Sequence, residues 1–365
     1  MSQLITPTEN PKGSRKPYQL AVIFGRFEPF HVGHQMLLNK AYAIADEVLV
    51  LIGSAFKPRD IKNSFTYRER SFMITEAAKP HKVHIHPLVD DLYSNDEWLK
   101  EAQKAISSTL TAITGWEDRP GKPSVAIVGH KKDFTSDYLD WFPQYDLVEM
   151  DEIPLGLDAT AIRKVLFEKP EMLSVLKSLV HEATHVFLQN FLKTEEYQRL
   201  VREYNKITKY KKDWSGTPHP SQFMTVDAVV KKTGHILLGK RKFAPGEDLW
   251  ALPGGFLESM EFLVQAVLRE LGEETNIDLP PGLLRNSMSE PIVFDHPFRS
   301  LRGRTVSFAF LFDLDKADTK TKDLPFVKAG SDFKEVKFFT FAEVLAMSEE
   351  IFEDHLSIIR RVAAI

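Results

Sequence analysis

The sequence predicts an α/β protein in which a domain built on a parallel β-sheet precedes an α+β domain. Three observations support this fold class. Short apolar strands alternate with helices over residues 18–190, and alternating strands flank one strong helix over residues 223–365. The chain has 365 residues, which suits two domains of ordinary size.

The first predicted domain begins with a short apolar strand. Continuously apolar segments predict strands at residues 18–24, 48–52 and 124–130, with a further alternating segment at 83–88 and a helix at 34–45. Strands without polar alternation are typical of a parallel sheet that helices cover on both faces. Ligands bind beyond the carboxyl ends of such strands, so we expect a site in the loops that follow them.

A charged helical segment separates the two predicted domains. We place this helical connector at residues 191–222, which are rich in Lys, Ser, Gly and Pro toward their end. Beyond it, predicted strands at 223–230, 235–241 and 306–314 surround a helix at about 260–275. The change of pattern indicates a second domain of a different architecture.

The composition excludes several classes of function. The net charge is -4, from 47 basic and 51 acidic side chains, so no surface built for nucleic acid is expected. The chain has no cysteine, which excludes disulfides, iron–sulfur clusters and thiol catalysis. Residues 1–17 are polar and are predicted to be disordered, without a signal-peptide core. No apolar run approaches the roughly 18 residues of a membrane span, so we expect a cytoplasmic protein with no membrane partner.

The loop after the first strand, GRFEPFHVGH (25–34), carries residues suited to phosphate. Its two glycines allow close backbone approach, and Arg26 adds a permanent charge. His31 and His34 share one face near the positive end of a helix, where a histidine can donate to phosphate and gain charge. The alternative is that both histidines are ordinary surface residues. The candidates are His31 and His34 for catalysis and Gly25, Arg26, Phe27 and Gly33 for nucleotide binding.

This loop resembles the HxGH signature of the nucleotidyltransferase superfamily, and at full length it resembles the nicotinamide mononucleotide (NMN) adenylyltransferases. LDATAIR (157–163) is similar to the ISxxxIR-type motif of that family. Asp158 is a candidate N-cap that would direct the N–H groups of residues 159–161 toward an anion. Arg163 can bind polyphosphate in a fork geometry. The family usually has Ser in place of Asp158, which would repel phosphate, so a plain helix cap is its alternative role.

The same resemblance, over about residues 18–190, implies further nucleotide contacts. Trp98 would stack on the nicotinamide nucleotide, with core packing as its alternative; solvated surface charge is the alternative for Arg59 and Asp133. The implied contacts are Arg59, Trp98, Gly129, Asp133 and Thr160. The resemblance implies a Rossmann-like nucleotidyltransferase domain that transfers AMP from ATP to NMN, with His31, His34, Arg163 and Mg²⁺ neutralising charge.

Three glutamates in GGFLESMEFLVQAVLRELGEETNI (254–277) are placed on one helical face. Glu270, Glu273 and Glu274 occupy positions i, i+3 and i+4 and continue an apolar stripe. Three unpaired anions there would be strongly unfavourable, and a hard cation such as Mg²⁺ or Mn²⁺ would resolve this. The alternative is an acidic helix end paired with Arg269, whose position is predicted on the solvated face; that reading opposes the helix dipole.

This segment resembles the Nudix box at nearly every position. Asn276 stands where Gly is usual, and Asn is the next-best residue for a left-handed cap, so we expect the departure to be tolerated. The resemblance implies an α+β Nudix domain, with mixed sheets sandwiched by helices, in which a metal activates water to cleave a diphosphate. Glu274, and Glu335 in a predicted late loop, are candidate general bases.

Segments outside the box are similar to the ADP-ribose branch of Nudix hydrolases. They are ALPGGF (251–256), FDHPFRSLRGRTVSFAF (294–310) and FEDH (352–355). Arg299, Arg302 and Arg304 would bind phosphate or ribose, with solvated strand ends as the alternative. Nearly the whole chain thus resembles fused NMN adenylyltransferase/ADP-ribose pyrophosphatases, which implies NAD synthesis by one half and hydrolysis of ADP-ribose to AMP and ribose 5-phosphate by the other.

Two other functions stay open. The Nudix half could act as a nucleotide sensor, although its box is intact and no helix-turn-helix pattern is visible in the sequence. The two halves could also use another acceptor and another nucleoside diphosphate derivative. Whether the chain forms a homo-oligomer is not determined by its sequence.

Overall fold

The structure, a computed structural model, describes residues 16–114, 124–131, 134–150, 158–317 and 321–365. It divides into two compact units. The first comprises Met1–Phe56, Lys62–Asp90 and Ser94–Tyr197, and the second comprises Lys57–Ile61, Asp91–Tyr93 and Gln198–Ile365. The second unit is therefore discontinuous in sequence. In the described stretches, no helix is long and apolar enough to cross a membrane.

The first unit is built on a five-stranded parallel sheet in the order β3-β2-β1-β4-β5. Its strands are β1 Tyr18–Gly25, β2 Ala45–Ile52, β3 His84–Pro87, β4 Val125–Gly129 and β5 Asp146–Glu149. The strand order reverses between β1 and β4, and such a switch point is where α/β sheets bind ligands at their carboxyl edge. The predicted parallel sheet is confirmed. The sequence did not reveal β5, because its four residues include two charges and no apolar run.

Helices of the first unit follow its strands. They are α1 Val32–Ile44, α2 Tyr67–Ala78, α3 Asn95–Thr114, α4 Ala159–Glu168 and α5 Glu182–Phe191, with 3-10 helices at Phe134–Trp141 and Pro170–Ser178. The helix α6, Glu195–Asp213, begins in the first unit and ends in the second. The sequence predicted a helical connector at residues 191–222. The structure places α6 within this segment, and the Thr194 hydroxyl accepts the N–H of Tyr197 at the start of the helix.

The second unit is built on a seven-stranded mixed sheet. Its strands are β6 Gln222–Lys232, β7 His235–Arg241, β8 Trp250–Ala251, β9 Gly254–Phe256, β10 Ile292–Phe294, β11 Arg304–Asp313 and β12 Phe333–Thr340. The main path runs β10-β11-β6-β7-β12, while β8 pairs with β7 and β9 with β6. The β11–β6 pair is parallel, and the other pairs are antiparallel.

Helices cover both faces of this mixed sheet, which confirms the predicted sandwich. They are α7 Leu263–Thr275, α8 Pro281–Ser287, α9 Leu314–Ala317, α10 Phe341–Ala346 and α11 His355–Ala363, with a 3-10 helix at Ser348–Glu350. Side chains alternate along β6. Val226 therefore packs in the core beneath α7, whereas Val229 packs in the core beneath α11. Asp227 shares the α11 face, where it approaches His355.

Candidate active sites

The first candidate site lies where β1 ends and α1 begins. His31 is the N-cap of α1, and its Nδ1 accepts the N–H of Gly33 at 3.1 Å. The Nδ1 of His34 accepts the N–H of His31 at 3.3 Å. Each ring therefore carries its proton on Nε2, which makes both imidazoles Nε2–H donors. The two rings stack with centroids 3.8 Å apart.

Burial keeps these imidazoles neutral. It lowers the pKa of His31 to about 4, against the opposing effect of Asp158. Burial, followed by the influence of His31, lowers the pKa of His34 well below its usual value. The structure therefore favours two neutral donors over the charged form that histidine chemistry also allows.

The start of α4 lies beside these histidines. Asp158 is the N-cap of α4 and accepts the N–H of Ala161 at 2.7 Å, which confirms the predicted cap. That N–H is one of the three that the sequence offered to an anion, so it is already used. Arg163 is buried and donates to the carbonyl oxygen of Glu28 and to Thr160 Oγ1. Because Glu28 belongs to the GRFEPFHVGH loop, this contact joins the two sequence motifs.

Arg70 is a buried organiser of this site that sequence reasoning missed. Its terminal nitrogens donate to three carbonyl oxygens, those of Arg26, Gly53 and Ser54, at 2.8, 2.8 and 2.9 Å. Its Nε lies 3.2 Å from the Glu28 carboxylate. One guanidinium therefore fixes the turns after β1 and β2. In the sequence nothing distinguishes Arg70 from Arg68, which is exposed.

Phe27 and Gly25, two of the predicted nucleotide contacts, pack against each other inside the loop. Phe27 is 2 % exposed, and its ring centroid lies 4.7 Å from that of His34. A Cβ on Gly25 would meet the Phe27 ring at 2.9 Å, so the close approach at Gly25 is made by this ring. Gly33 is buried in the first turn of α1, whereas Arg26 is exposed.

Trp98 lies in an aromatic cluster of the first unit. Its ring centroid is 5.6 Å from that of Phe24, and it also contacts Tyr138 and Trp141. This placement favours the packing role, and stacking on a nucleotide stays a prediction. Gly129 ends β4 at the switch point.

The remaining predicted nucleotide contacts are Arg59, Thr160 and Asp133. Arg59 belongs to the second unit, where its carbonyl oxygen accepts a hydrogen bond from Arg199 at 3.2 Å. Thr160 is exposed in the first turn of α4. Asp133 lies outside the described residues.

The second candidate site is formed by the C-terminal half of α7. Glu274 is 3 % exposed and accepts the N–H of Gly254 at 2.9 Å, and burial raises its pKa to about 8. Burial also raises the pKa of Glu270, and repulsion from Glu273 and Asp332 adds to this. Asp332 was not predicted. Glu273 is 55 % exposed, so the prediction that all three glutamates continue the apolar stripe of α7 is wrong for this residue.

Arg269 bridges the carboxylates of this helix. It lies 2.6 Å from Glu261, 2.8 Å from Glu270 and 3.3 Å from Glu273, so its predicted place on the solvated face is wrong. Within the described ranges, no three acidic or histidine side chains are arranged to hold a metal ion. The donor chemistry nevertheless fits a divalent cation, because burial and neighbouring acids raise the pKa of Glu270 and Glu274, and a positive charge would stabilise their carboxylates.

Gly255 lies against this acidic cluster. A Cβ at this position would lie 2.4 Å from Glu270 Oε1, so a side chain would displace the carboxylate. The first glycine of the motif is therefore required by close approach.

Comparisons with known proteins match both parts of the chain. A family model described as NUDIX domain matches residues 222–362, and one described as Cytidylyltransferase-like matches residues 22–114. A crystal structure of a bifunctional NMN adenylyltransferase/ADP ribose pyrophosphatase from Francisella tularensis aligns with a TM-score of 0.84 and 36 % identity, covering 95 % of this chain and 99 % of that chain. This chain belongs to that bifunctional family.

Further relatives match the whole chain or one part of it. The Francisella protein complexed with AMP and Mn ion aligns with a TM-score of 0.82 and 34 % identity, covering 95 % of this chain and 99 % of that one. A nicotinamide/nicotinic acid mononucleotide adenylyltransferase of Acinetobacter baylyi is 28 % identical over 51 % of this chain and 94 % of that protein. An ADP-ribose pyrophosphatase of Methanocaldococcus jannaschii is 35 % identical over 38 % of this chain and 74 % of that protein.

The helix α7 ends with the left-handed cap that its sequence predicts. Asn276 is left-handed, with φ 43° and ψ 40°, and its side chain donates to the carbonyl oxygen of Lys328 at 3.0 Å. The predicted cap is confirmed. Glu335 is not in a loop as predicted; it is an exposed residue of β12, 3.5 Å from Lys337.

The three predicted arginines of the ADP-ribose pocket differ in their surroundings. Arg299 is buried and donates twice to Asp354, at 2.9 Å each, so its alternative as a solvated strand end is wrong. Arg302 donates to Ser300 Oγ at 3.2 Å. Arg304 is partly exposed at the start of β11 and bonds the carbonyl oxygen of Asp295.

We expect Arg299→Met to destabilise the second unit by about 3–5 kcal/mol, because it leaves a buried carboxylate without its partner. Urea unfolding, followed through loss of the second unit's activity, measures this. Arg304→Met removes a partly exposed arginine and should cost no more than about 1 kcal/mol. Equal stability of the two variants would contradict a structural role for the Arg299–Asp354 pair.

Proposed function

We propose that this chain is a bifunctional enzyme of NAD metabolism. Its first unit transfers AMP from ATP to NMN, giving NAD and pyrophosphate. Its second unit hydrolyses ADP-ribose to AMP and ribose 5-phosphate. The observation that carries the proposal is the end-to-end similarity to the Francisella protein, at 36 % identity over 95 % of this chain. We place the two enzymes at residues 18–190 and 223–365, joined by residues 191–222.

NAD synthesis is a direct displacement. An oxygen of the NMN 5′-phosphate attacks the α-phosphorus of ATP, the bond to the β-phosphate breaks, and pyrophosphate leaves. The Nε2–H groups of His31 and His34 donate to phosphate oxygens, and Arg163 adds positive charge where negative charge accumulates. No protein nucleophile takes part. The proposed nucleotide contacts remain Gly25, Arg26, Phe27, Gly33, Arg59, Trp98, Gly129, Asp133 and Thr160.

Hydrolysis of ADP-ribose uses the carboxylates of α7. Glu270, Glu273 and Glu274 would hold a divalent cation, which we propose is Mg²⁺ with Mn²⁺ as the alternative, since the Francisella relative was complexed with Mn ion. A bound cation lowers the pKa of water and clamps diphosphate oxygens. Glu274 also fixes the backbone of Gly254 beside the pocket. Arg299, Arg302 and Arg304 remain proposed substrate contacts.

A second acceptor is favoured by one relative. The Acinetobacter protein is named for nicotinamide and nicotinic acid mononucleotides together. We therefore keep nicotinic acid mononucleotide as an alternative acceptor for the first unit, and the sensor function as the alternative for the second.

Product analysis of the full chain tests both activities. With ATP and Mg²⁺ we expect NAD from NMN, and a parallel reaction with nicotinic acid mononucleotide measures acceptor preference. With ADP-ribose and Mg²⁺ we expect AMP and ribose 5-phosphate in equal amounts, and EDTA should stop the reaction because the carboxylates need a cation. Tight ADP-ribose binding without turnover would favour the sensor instead.

A further inference from the structure

We propose that Glu203 is a positioning residue for hydrolysis by the second unit, because it holds the loop that supports one wall of the substrate pocket. This inference rests on the proposed hydrolysis and deepens it. The loop comprises residues 242–249, between β7 and β8, and is called the β7–β8 loop below. The pocket is the one bordered by Gly254, whose N–H bonds Glu274.

The Glu203 side chain is buried on α6. Its Oε2 accepts the N–H of Gly246, in the β7–β8 loop, at 3.0 Å. Arg199, one turn earlier in the helix, lies 3.7 Å from the same oxygen, which is too far for a hydrogen bond. The hydrogen-bonding capacity of this carboxylate is therefore directed at the backbone of the loop.

Gly246 is the point at which the loop packs against the pocket wall. Its φ of 73° is left-handed, and a Cβ there would lie 2.2 Å from the Phe352 ring. The Nε–H of Arg241 donates to the carbonyl oxygen of the preceding residue, Pro245, at 2.9 Å. The Phe352 ring centroid lies 4.3 Å from the Arg241 guanidinium carbon, and both residues line the pocket. A shift of Gly246 would therefore move two residues of the pocket wall.

The same wall separates Glu203 from the pocket. Phe352 and Glu353 line the substrate pocket on one side and a small cavity beside Glu203 on the other. Glu203 thus lies behind the wall and acts on it through the loop, without touching the substrate.

A surface ion pair also ties this loop to α6. Glu247 lies 3.3 Å from Arg202, whose side chain is exposed. Exposed ion pairs stabilise little, because water screens both charges. The buried bond between Glu203 and Gly246 is therefore expected to contribute more to holding the loop.

The charge of Glu203 lowers the stability of the fold. Burial raises the pKa of this carboxyl to about 7, and Asp60 and Glu353 raise it as well, against the N–H of Gly246 and the charge of Arg199. All of these groups belong to the second unit. A neutral amide would accept the same N–H without this cost, so stability alone does not account for a carboxylate here.

The protonation state of Glu203 is expected to affect the pocket and the stability in opposite directions. A charged acceptor makes the stronger hydrogen bond, so the loop is held more firmly as the pH rises through about 7. The pKa of Glu203 in the folded chain lies above its ordinary value of 4.5, so the folded state binds the extra proton. Its contribution to stability is therefore lost as the pH rises between these two values.

Kinetics and melting of the full-chain Glu203→Gln variant test the role of the carboxylate. With ADP-ribose and Mg²⁺ at about pH 8, we expect KM to rise about 3- to 10-fold with kcat nearly unchanged, since a neutral acceptor replaces a charged one. The KM difference should shrink at about pH 5.5, where Glu203 is protonated. At about pH 8 the second unit of the variant should melt about 4–8 °C higher than wild type, and the gap should narrow at the lower pH. Weaker binding in a more stable protein distinguishes positioning from structural damage.

Hydrogen–deuterium exchange without substrate measures the hold on the loop directly. At about pH 8 the amide of Gly246 should exchange faster in Glu203→Gln than in wild type, because its acceptor is weaker. The matched control is Glu196→Gln, which removes an exposed carboxylate of the same helix. It should keep the wild-type KM, melting temperature and exchange rate at both pH values.

Three results would overturn the inference. The first is a KM for Glu203→Gln within twofold of wild type at both pH values. The second is unchanged exchange of the Gly246 amide, which would show that the loop is held without the carboxylate. The third is a lower melting temperature together with a lower kcat, as a merely structural role would give. If wild type fails to hydrolyse ADP-ribose, the proposed function fails, whereas exchange and melting still decide whether Glu203 holds the loop.

Discussion

Replacing His34 with alanine is expected to abolish NAD synthesis and to leave ADP-ribose hydrolysis unchanged. The substitution removes one of two neutral Nε2–H donors, and loss of one such charge-stabilising donor costs about 10²–10³-fold in rate. The effect extends to His31, because His34 Nδ1 accepts the backbone N–H of His31. NAD formation from ATP and NMN, and AMP release from ADP-ribose, are measured on the same preparation.

Two further variants serve as controls for His34→Ala. His34→Gln keeps an amide donor and should retain more NAD synthesis than the alanine variant. Gln35→Ala changes the next residue of α1, whose side chain bonds Asn39 and the carbonyl of Ala77 instead of the histidines, and should be near wild type. Loss of hydrolysis in His34→Ala would contradict two independently working sites, and full NAD synthesis would remove His34 from the mechanism.

Replacing Glu273 with glutamine is expected to have the reverse effect. It removes one carboxylate of the set that would hold the cation, while size and hydrogen-bonding shape are preserved. We expect ADP-ribose hydrolysis to fall by about 10²–10³-fold, as for other losses of transition-state charge stabilisation, and NAD synthesis to persist. Glu273 is 55 % exposed, so the variant should fold, unlike changes at the buried Glu274.

The control for this variant is Glu290→Gln, which removes an exposed carboxylate outside α7. It should hydrolyse ADP-ribose at the wild-type rate, because it changes net charge by the same amount away from the site. Excess Mg²⁺ should partly restore Glu273→Gln if the lost group is a metal ligand. Full activity of Glu273→Gln at low Mg²⁺ would remove this glutamate from the proposed metal set.

Features set by neighbouring residues were predictable. Asp158 and Asn276 cap helices as expected, because a cap depends on one residue type and the helix end beside it. The continuous apolar strands β1, β2 and β4 were also predictable, because a strand that is buried on both faces consists almost entirely of apolar residues.

Features that depend on contacts between residues distant in sequence were not predictable. Arg299 is a candidate phosphate ligand in the sequence, but its pairing with Asp354, 55 residues later, is visible only in the structure. Asp332 joins the acids of α7 from a segment that carries no motif. Arg70 is one of several arginines in its segment, and tertiary contacts alone single it out. The sequence shows which charges exist, but pairing between them is decided by the fold.

The discontinuity of the second unit bears on how this family could be dissected or recombined. Within that unit, the Tyr93 hydroxyl donates to Asp354 at 2.7 Å, and its ring centroid lies 5.1 Å from that of Phe294. A fragment cut at residue 198 would keep Asp354 and Phe294 but lose Tyr93. Domain shuffling at that position would therefore pass on an incomplete hydrolase. A working exchange must carry the short segment Asp91–Tyr93 along with it.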